Sequence, residues 1–452
     1  MKMDNLKRQL GLRTSTALVV GEVVAIGIFI TPAAMAKSLA SPAWILCVWL
    51  AMGLMTLCGA LCYGELASRY PEAGGGYVYL RESYGRPLAF LHGWMSLLVM
   101  DPGITAALAV GVAGYVGYIV PLSATELKAL AVLSILLPAV VNIIGLRIGA
   151  GMIRWLTFIK LGLLLFLLVW GFGLRLGDWS NFLPLIERRP DSGPLIPALA
   201  GGMIAAFFSF GGWWDLNKLA GEVKDPAYTL PRALSYGVIA VTIIYVLTSA
   251  VFLYLVPLQN VVSPEAFAAQ AGEVLFGTAG GQIFSGIVII AVVGSIASLL
   301  LMSPRVYFAM ARDGVFLHGI AHIEPRFGTP ARAIALQAIL ASILALLGTF
   351  NQIVSYFVFV AVIFLALTVI AVFILRNRQP SQGAYLTPGY PVTPAAFLFL
   401  TLILLVLLGS GNPKQAFLGI TVVAMGLPVY YVLFGRTKKL SQEKKAQLYD
   451  MD

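Results

Sequence analysis

The sequence predicts an all-α membrane protein of twelve transmembrane helices, the first and sixth of them unwound, and three observations carry that prediction. The 452 residues are 59% hydrophobic and 11% charged, with a mean hydropathy of +0.89; soluble domains run near about one half apolar and one quarter charged. Twelve apolar runs are long enough to cross about 30 Å of hydrocarbon as helix. Two of those runs, half a chain apart, carry glycines in mid-membrane, where an unbroken helix has no need of them.

In chain order, a polar and basic segment, 1–13, comes first. Runs near 14–36, 43–64, 88–119, 127–146 and 151–174 form a first set of five within 14–175. Runs near 196–220, 232–256, 281–304, 332–350 and 353–375 form a second set within 196–376. Two more, 393–410 and 415–434, precede a basic tail, 435–452. The first run is too long for a signal peptide and lacks a small-residue cleavage site after it, so it is expected to stay as a helix. An even number of spans puts both termini on one side. With that side inside, the inner segments hold 23 Lys and Arg against 6 outside, leaving Lys160 in the membrane. This positive-inside bias places both termini in the cytoplasm. The net charge of +10 then reads as a topology signal and not as a nucleic-acid surface.

All three cysteines, Cys47, Cys58 and Cys62, fall in the second run. Cys58 and Cys62 share a helix face, but no His or further Cys completes a metal set, and packing is the better reading. His318 and His322 have the same spacing and equally lack a third ligand. No serine elbow, Walker loop or HExxH motif occurs, so neither enzymatic chemistry nor a bound cofactor is expected.

The first anomalous run contains GEVVAIGIFITP, residues 21–32, and the second FFSFGGWWDLNKLAGEVKDPAYTLPR, residues 207–232. In lipid a broken helix leaves N–H and C=O groups unpaired, so breaks survive only where protein or a polar cavity receives them. Interrupted segments at matching places in two halves point to a site built from inverted repeats. The alternative is an unbroken helix with a glycine face for close packing.

Three stretches carry a family resemblance. YGELASRYPEAGGGYVYLRESYG (63–85) resembles the signature of the amino acid, polyamine and organocation transporter superfamily. GGWWDLNKLAGEVKDPAYTLPRAL (211–234) resembles its sixth helix and following loop, especially in the L-type amino acid transporter branch. MSPRVYFAMARDG (302–314), followed by TPARAI (329–334), resembles its helix-eight exit. The resemblance, running from about residue 14 to 390, implies a leucine-transporter-like 5+5 inverted repeat with two extra helices. It implies sodium-independent exchange or facilitated transport of L-amino acids by alternating access, with small or medium neutral substrates; proton-coupled symport and cationic substrates stay open. A membrane sensor or channel is the other class, but no charged ring or filter repeat supports it.

By the same resemblance, the substrate carboxylate would sit on backbone N–H groups at Ala25, Ile26 and Gly27, and its amine on carbonyls at Phe210, Gly211 and Gly212. A half-helix N-terminus is a ready anion site, and opposing carbonyls suit a cation. The family pattern Gly-Ser-Gly-Ile-Phe is here Ala25, Ile26, Gly27, Ile28 and Phe29, so Ile26 adds bulk wherever it faces the site.

Lys160 lies eight residues past Met152, about 12 Å into the membrane, and intramembrane lysines are functional by default unless they snorkel. Some sodium-independent members of the family carry such a lysine where relatives bind a cation. Glu22 reaches a similar depth from the same side, as a partner for Lys160 or a proton carrier. Asp101, about 20 Å deep and followed by Pro102, is a partner for disturbed backbone, a proton site or a counter-ion. Phe210 is the expected gate. Ser295 and Ser298 can offer hydroxyls to Lys160 or substrate, or simply permit close helix contact. The short external loop VPLSATE lacks a cysteine, so no disulfide-linked accessory subunit is expected, and the cytoplasmic membrane is the expected location.

Overall fold

The computed structural model describes residues 6–188, 192–258, 271–347, 350–379, 385–411 and 413–434. The basic tail 435–452 lies outside the described residues. Within them the chain is helical, and ten helices are long and apolar enough to cross a membrane. The shorter apolar helix Ala331–Leu347 adds to these.

The first run is split into α1 (Leu12–Val23) and α2 (Gly27–Leu39), with Val24, Ala25 and Ile26 between them. Next comes α3 (Pro42–Arg69), which starts on Pro42, a residue suited to a first turn because it needs no N–H partner. The 63–85 motif forms the end of α3, a turn, and a short helix, α4 (Gly76–Tyr84). The third run is α5 (Arg86–Met95) joined to α6 (Asp101–Ile119) through a π-helical turn, Ser96–Met100. Pro102 explains that turn: it cannot donate to a carbonyl, and the widened spacing absorbs the missing bond. Ser123 and Glu126 form a reciprocal cap for α7 (Ala124–Ile144), each side chain bonding the other's backbone N–H. Then follows α8 (Leu146–Gly173), whose outward face exposes Trp155, Phe158 and Leu165 to lipid.

In the second half, α9 (Leu195–Phe210) stops at Gly211, and a 3₁₀ run, Asp215–Glu222, continues it. Beyond lie α10 (Pro226–Leu255), α11 (Gly280–Met302), α12 (Pro304–Arg312), α13 (Ala331–Leu347) and α14 (Phe350–Arg378). The described residues end in α15 (Val392–Gly411), α16 (Pro413–Ala424) and α17 (Gly426–Leu433). At the centre, α1 packs on α8, α10 and α11, and α2 on α9. Around them α3 packs on α10, and α6 on α11. The two interrupted helices therefore lie side by side in the middle of the bundle.

Candidate functional site

The first break ends α1 with carbonyls that have no intrahelical donor, and three side chains from other helices meet them. Lys160, fully buried in α8, donates to Gly21 O at 2.8 Å, Val24 O at 2.7 Å and Ala291 O at 2.8 Å. Ser295 of α11 joins the same cluster, donating to Gly21 O at 2.9 Å. The hydroxyl of Tyr245 lies 2.7 Å from Val23 O and 2.8 Å from Ser209 O, bridging the two breaks. The carbonyls of the first break are thus engaged, and the start of α2 carries the partial positive charge of a helix N-terminus.

At the second break Gly212 has φ +99°, a conformation that an L side chain resists. The two breaks also touch. A Cβ on Gly27 would stand 2.8 Å from Ser209 Cα, and Thr31 Oγ1 lies 2.9 Å from Ser209 Oγ. A cavity between them is lined by Glu22, Ala25, Ile26, Gly27, Phe207, Phe208, Gly211, Gly212 and Trp214, with Met100, Ile104 and Leu108 of the third run.

The sequence motifs converge next to this cavity. Lys218, in the 3₁₀ run, lies 2.9 Å from both Asp101 and Asp215 and donates to Ser303 at 3.0 Å. Tyr307 donates to Asp101 at 3.3 Å. Arg305 pairs with Glu222 at 2.8 Å and also donates to Leu301 O. The paired glycines of the 63–85 motif explain themselves here: Gly74 N donates to Lys218 O at 3.0 Å, and a Cβ on Gly75 would come within 2.9 Å of Lys218 N. Four stretches far apart in sequence build one buried polar network.

Residues 10–434 match the amino acid permease family. The chain is 32% identical over 433 residues to the serine/threonine exchanger SteT of Bacillus subtilis (strain 168), covering 95% of this chain and 97% of that one. The chain belongs to the amino acid permease family. It falls in the L-type branch of the amino acid, polyamine and organocation superfamily. It is also 28% identical to the human large neutral amino acids transporter small subunit 2, over 94% of this chain and 80% of that one. The mouse Asc-type amino acid transporter 1 is 27% identical, over 96% and 82% respectively. This permease is accordingly a multi-pass membrane protein of an amino acid transport family.

Several residues of the permease sit differently from what the sequence led one to expect. Lys160 does not pair with Glu22; its three N–H bonds all end on backbone carbonyls. Equal depth in the membrane is not enough, because the carbonyls at the break hold the ammonium. Asp101 finds its cation in Lys218, which lies at the end of the 196–220 run and which the charge count takes as one of the inner-segment lysines. The signal was present as Asp215 and Lys218 one 3₁₀ turn apart between apolar residues. Phe210 packs on Trp49 and Tyr245, with ring centroids 6.1 and 5.1 Å away; Phe207, Phe208 and Trp214 line the cavity instead. Ser298 donates to Gly294 O at 3.0 Å within its own helix, while Ser295 reaches the first break. Ile26 lines the cavity, and part of its bulk is taken up by Gly111, where a Cβ would meet Ile26 Cδ1 at 2.6 Å.

Proposed function

We propose that this permease is a sodium-independent secondary transporter, an exchanger or facilitator, of small or medium neutral L-amino acids that works by alternating access. The observation that carries the reading is the Lys160 brace: a fixed ammonium on Gly21 O, Val24 O and Ala291 O ties the first break to α8 and α11, the task a bound sodium ion performs elsewhere in this fold. The substrate carboxylate sits on the N–H groups at Ala25, Ile26 and Gly27, and its amine on carbonyls at Gly211 and Gly212. Apolar walls from Met100, Ile104, Phe207 and Phe208 favour an uncharged side chain, and Ile26 limits its size.

The architecture under this proposal is the leucine-transporter-like fold. The split first run and Ala331–Leu347 join the ten long helices to make twelve spans. The first repeat covers 14–175, the inverted second 196–376, and 393–434 holds the two added helices. Both termini face the cytoplasm of a cell whose cytoplasmic membrane holds the protein, and no accessory subunit is required. Serine and threonine head the substrate panel, because the similar SteT is a serine/threonine exchanger. The test is uptake into proteoliposomes of each proteinogenic amino acid, with sodium, the proton gradient and internal substrate varied separately. Uptake stimulated by internal amino acid and indifferent to sodium is expected. Uptake that rises with external sodium at fixed membrane potential would overturn the brace.

A further inference from the structure

Glu22 is not part of the Lys160 brace, and its surroundings are unusual for a carboxyl group. It is 4% exposed, it lines the cavity, and neither of its oxygens meets a hydrogen-bond donor. The second break is folded against it: a Cβ on Gly212 would stand 2.8 Å from Glu22 Cγ and 3.1 Å from its Oε1.

The polar groups that face Glu22 from each neighbouring element are already engaged. From α8 comes Lys160, with all three N–H bonds on Gly21 O, Val24 O and Ala291 O. From the 3₁₀ run come Asp215, a second carboxyl against Glu22, and Lys218, which donates to Asp101 and Ser303 and lies 2.9 Å from Asp215. Asp101 itself projects from α6. From α10 comes Tyr245, held by the carbonyls of Val23 and Ser209, and from α11 Ser295, held by Gly21 O. Among the described residues no cation donates to Glu22; the charge of Lys218 acts on it only through space. An ionised carboxylate in a dry site with no donor is strongly unfavourable, and a like charge beside it makes it more so. Such a group must take either a proton or a cation that arrives through the cavity.

The substrate brings that cation. Its ammonium, seated on the carbonyls of the second break, comes to Gly212 and so to the carboxyl folded against Gly212. We propose that Glu22 holds a proton and the substrate's ammonium in turn, so that loading an amino acid releases one proton. The O–H bond of the carboxylic acid breaks, the proton passes to solvent, and the carboxylate left behind accepts hydrogen bonds from the ammonium. Charge balances, since the acid and the ammonium together become an ion pair and a free proton. This inference rests on the substrate site proposed above. It adds a consequence that site alone does not have: substrate and proton compete, so the apparent Kd rises as pH falls, by up to about tenfold per pH unit.

Isothermal titration of the purified permease with a transported amino acid, at one pH in phosphate and in Tris, reads the protons exchanged. About one proton released per substrate is expected, with the Kd rising as pH is lowered. In Glu22→Gln the release should vanish and the Kd lose its pH dependence, with binding weakened by about tenfold or more. Gln keeps the size and can donate to Asp215, so the fold should persist; if it does not, the wild-type titration alone decides. Binding with no buffer-dependent heat, or with proton uptake, overturns the inference while leaving the substrate site standing. If Glu22→Gln changes neither affinity nor proton count, the carboxyl is not at the substrate, and the site falls with the inference.

Discussion

Lys160 shows how much one side chain settles in a dry interior. Its ammonium replaces the missing intrahelical donors of α1 at Gly21 and Val24 and reaches Ala291 in the same step. Lys160→Ala takes the ammonium from three buried acceptors; Gly21 O keeps Ser295 and Ala291 O lies within α11, but Val24 O loses its 2.7 Å donor, and an acceptor left without a donor costs about 1–3 kcal/mol. A loss of about 1–3 kcal/mol is expected in denaturant or thermal stability in detergent, together with slower exchange. Glu22 forms no ion pair with Lys160, though its charge acts on the ammonium, so adding Glu22→Gln should recover no more than about 1 kcal/mol of the loss. A recovery larger than that would put the two groups back in contact. Their depth was legible in the sequence through the rise per residue. Their direction was not, since a helix fixes azimuth only once its neighbours are known.

At the scale of elements, the breaks were readable because lipid makes them so expensive: glycines in mid-run stand out against an otherwise continuous apolar helix. What the sequence hid is how the second break continues. The 3₁₀ run Asp215–Glu222 stays buried instead of leaving the bundle as a loop, and so Lys218, Asp215 and Glu222 become interior groups. The same run explains why the 63–85 glycines are needed, since the backbone at Gly74 and Gly75 lies against Lys218. Two predictions belong here. Gly212→Leu strains a residue at φ +99° and drives its side chain into Glu22, so substrate-induced thermal stabilisation should disappear while the folded fraction, judged by size exclusion, is retained. Unchanged stabilisation would move the site elsewhere. Arg305→Met leaves Glu222 buried without its cation, at a cost of about 3–5 kcal/mol. Pairing it with Glu222→Gln should recover much of that loss, and a purely additive double variant would show that the pair is not coupled.

For the molecule as a whole, the alternating access proposed above requires the contacts at one end of the cavity to open together, and a graded set of contacts lies there. Next to the cavity are the buried pairs of Lys218 with Asp101 and of Arg305 with Glu222. Further out, Leu10 and Val223 form a short bridge, with Leu10 N donating to Glu222 O at 3.0 Å and Lys224 N to Leu10 O at 2.8 Å. Outermost, α4 meets the end of α12: Arg81 lies 2.8 Å from Asp313, and Tyr77 donates to the same carboxylate at 2.8 Å. Burial, and then the charge of Asp313, pushes the Tyr77 phenol upward in pKa, so it remains a donor throughout the physiological range. The Asp313 contact is partly exposed, with side chains 18% and 21% accessible, and a pair of that kind contributes at most about 1 kcal/mol. It is therefore the weakest latch and the one that can be removed without unfolding the bundle. Asp313→Asn should shift the balance toward the form open at this end by about fivefold, the equivalent of about 1 kcal/mol. The readout is the labelling rate of a cysteine at Ala25, in a chain whose Cys47, Cys58 and Cys62 are replaced, by an impermeant reagent applied to vesicles of known orientation. Labelling should accelerate from the side that carries Arg81 and slow from the opposite side. Equal acceleration from both sides would mean that the substitution has loosened the whole bundle, and no change would mean that the α4 contact does not hold the closed form.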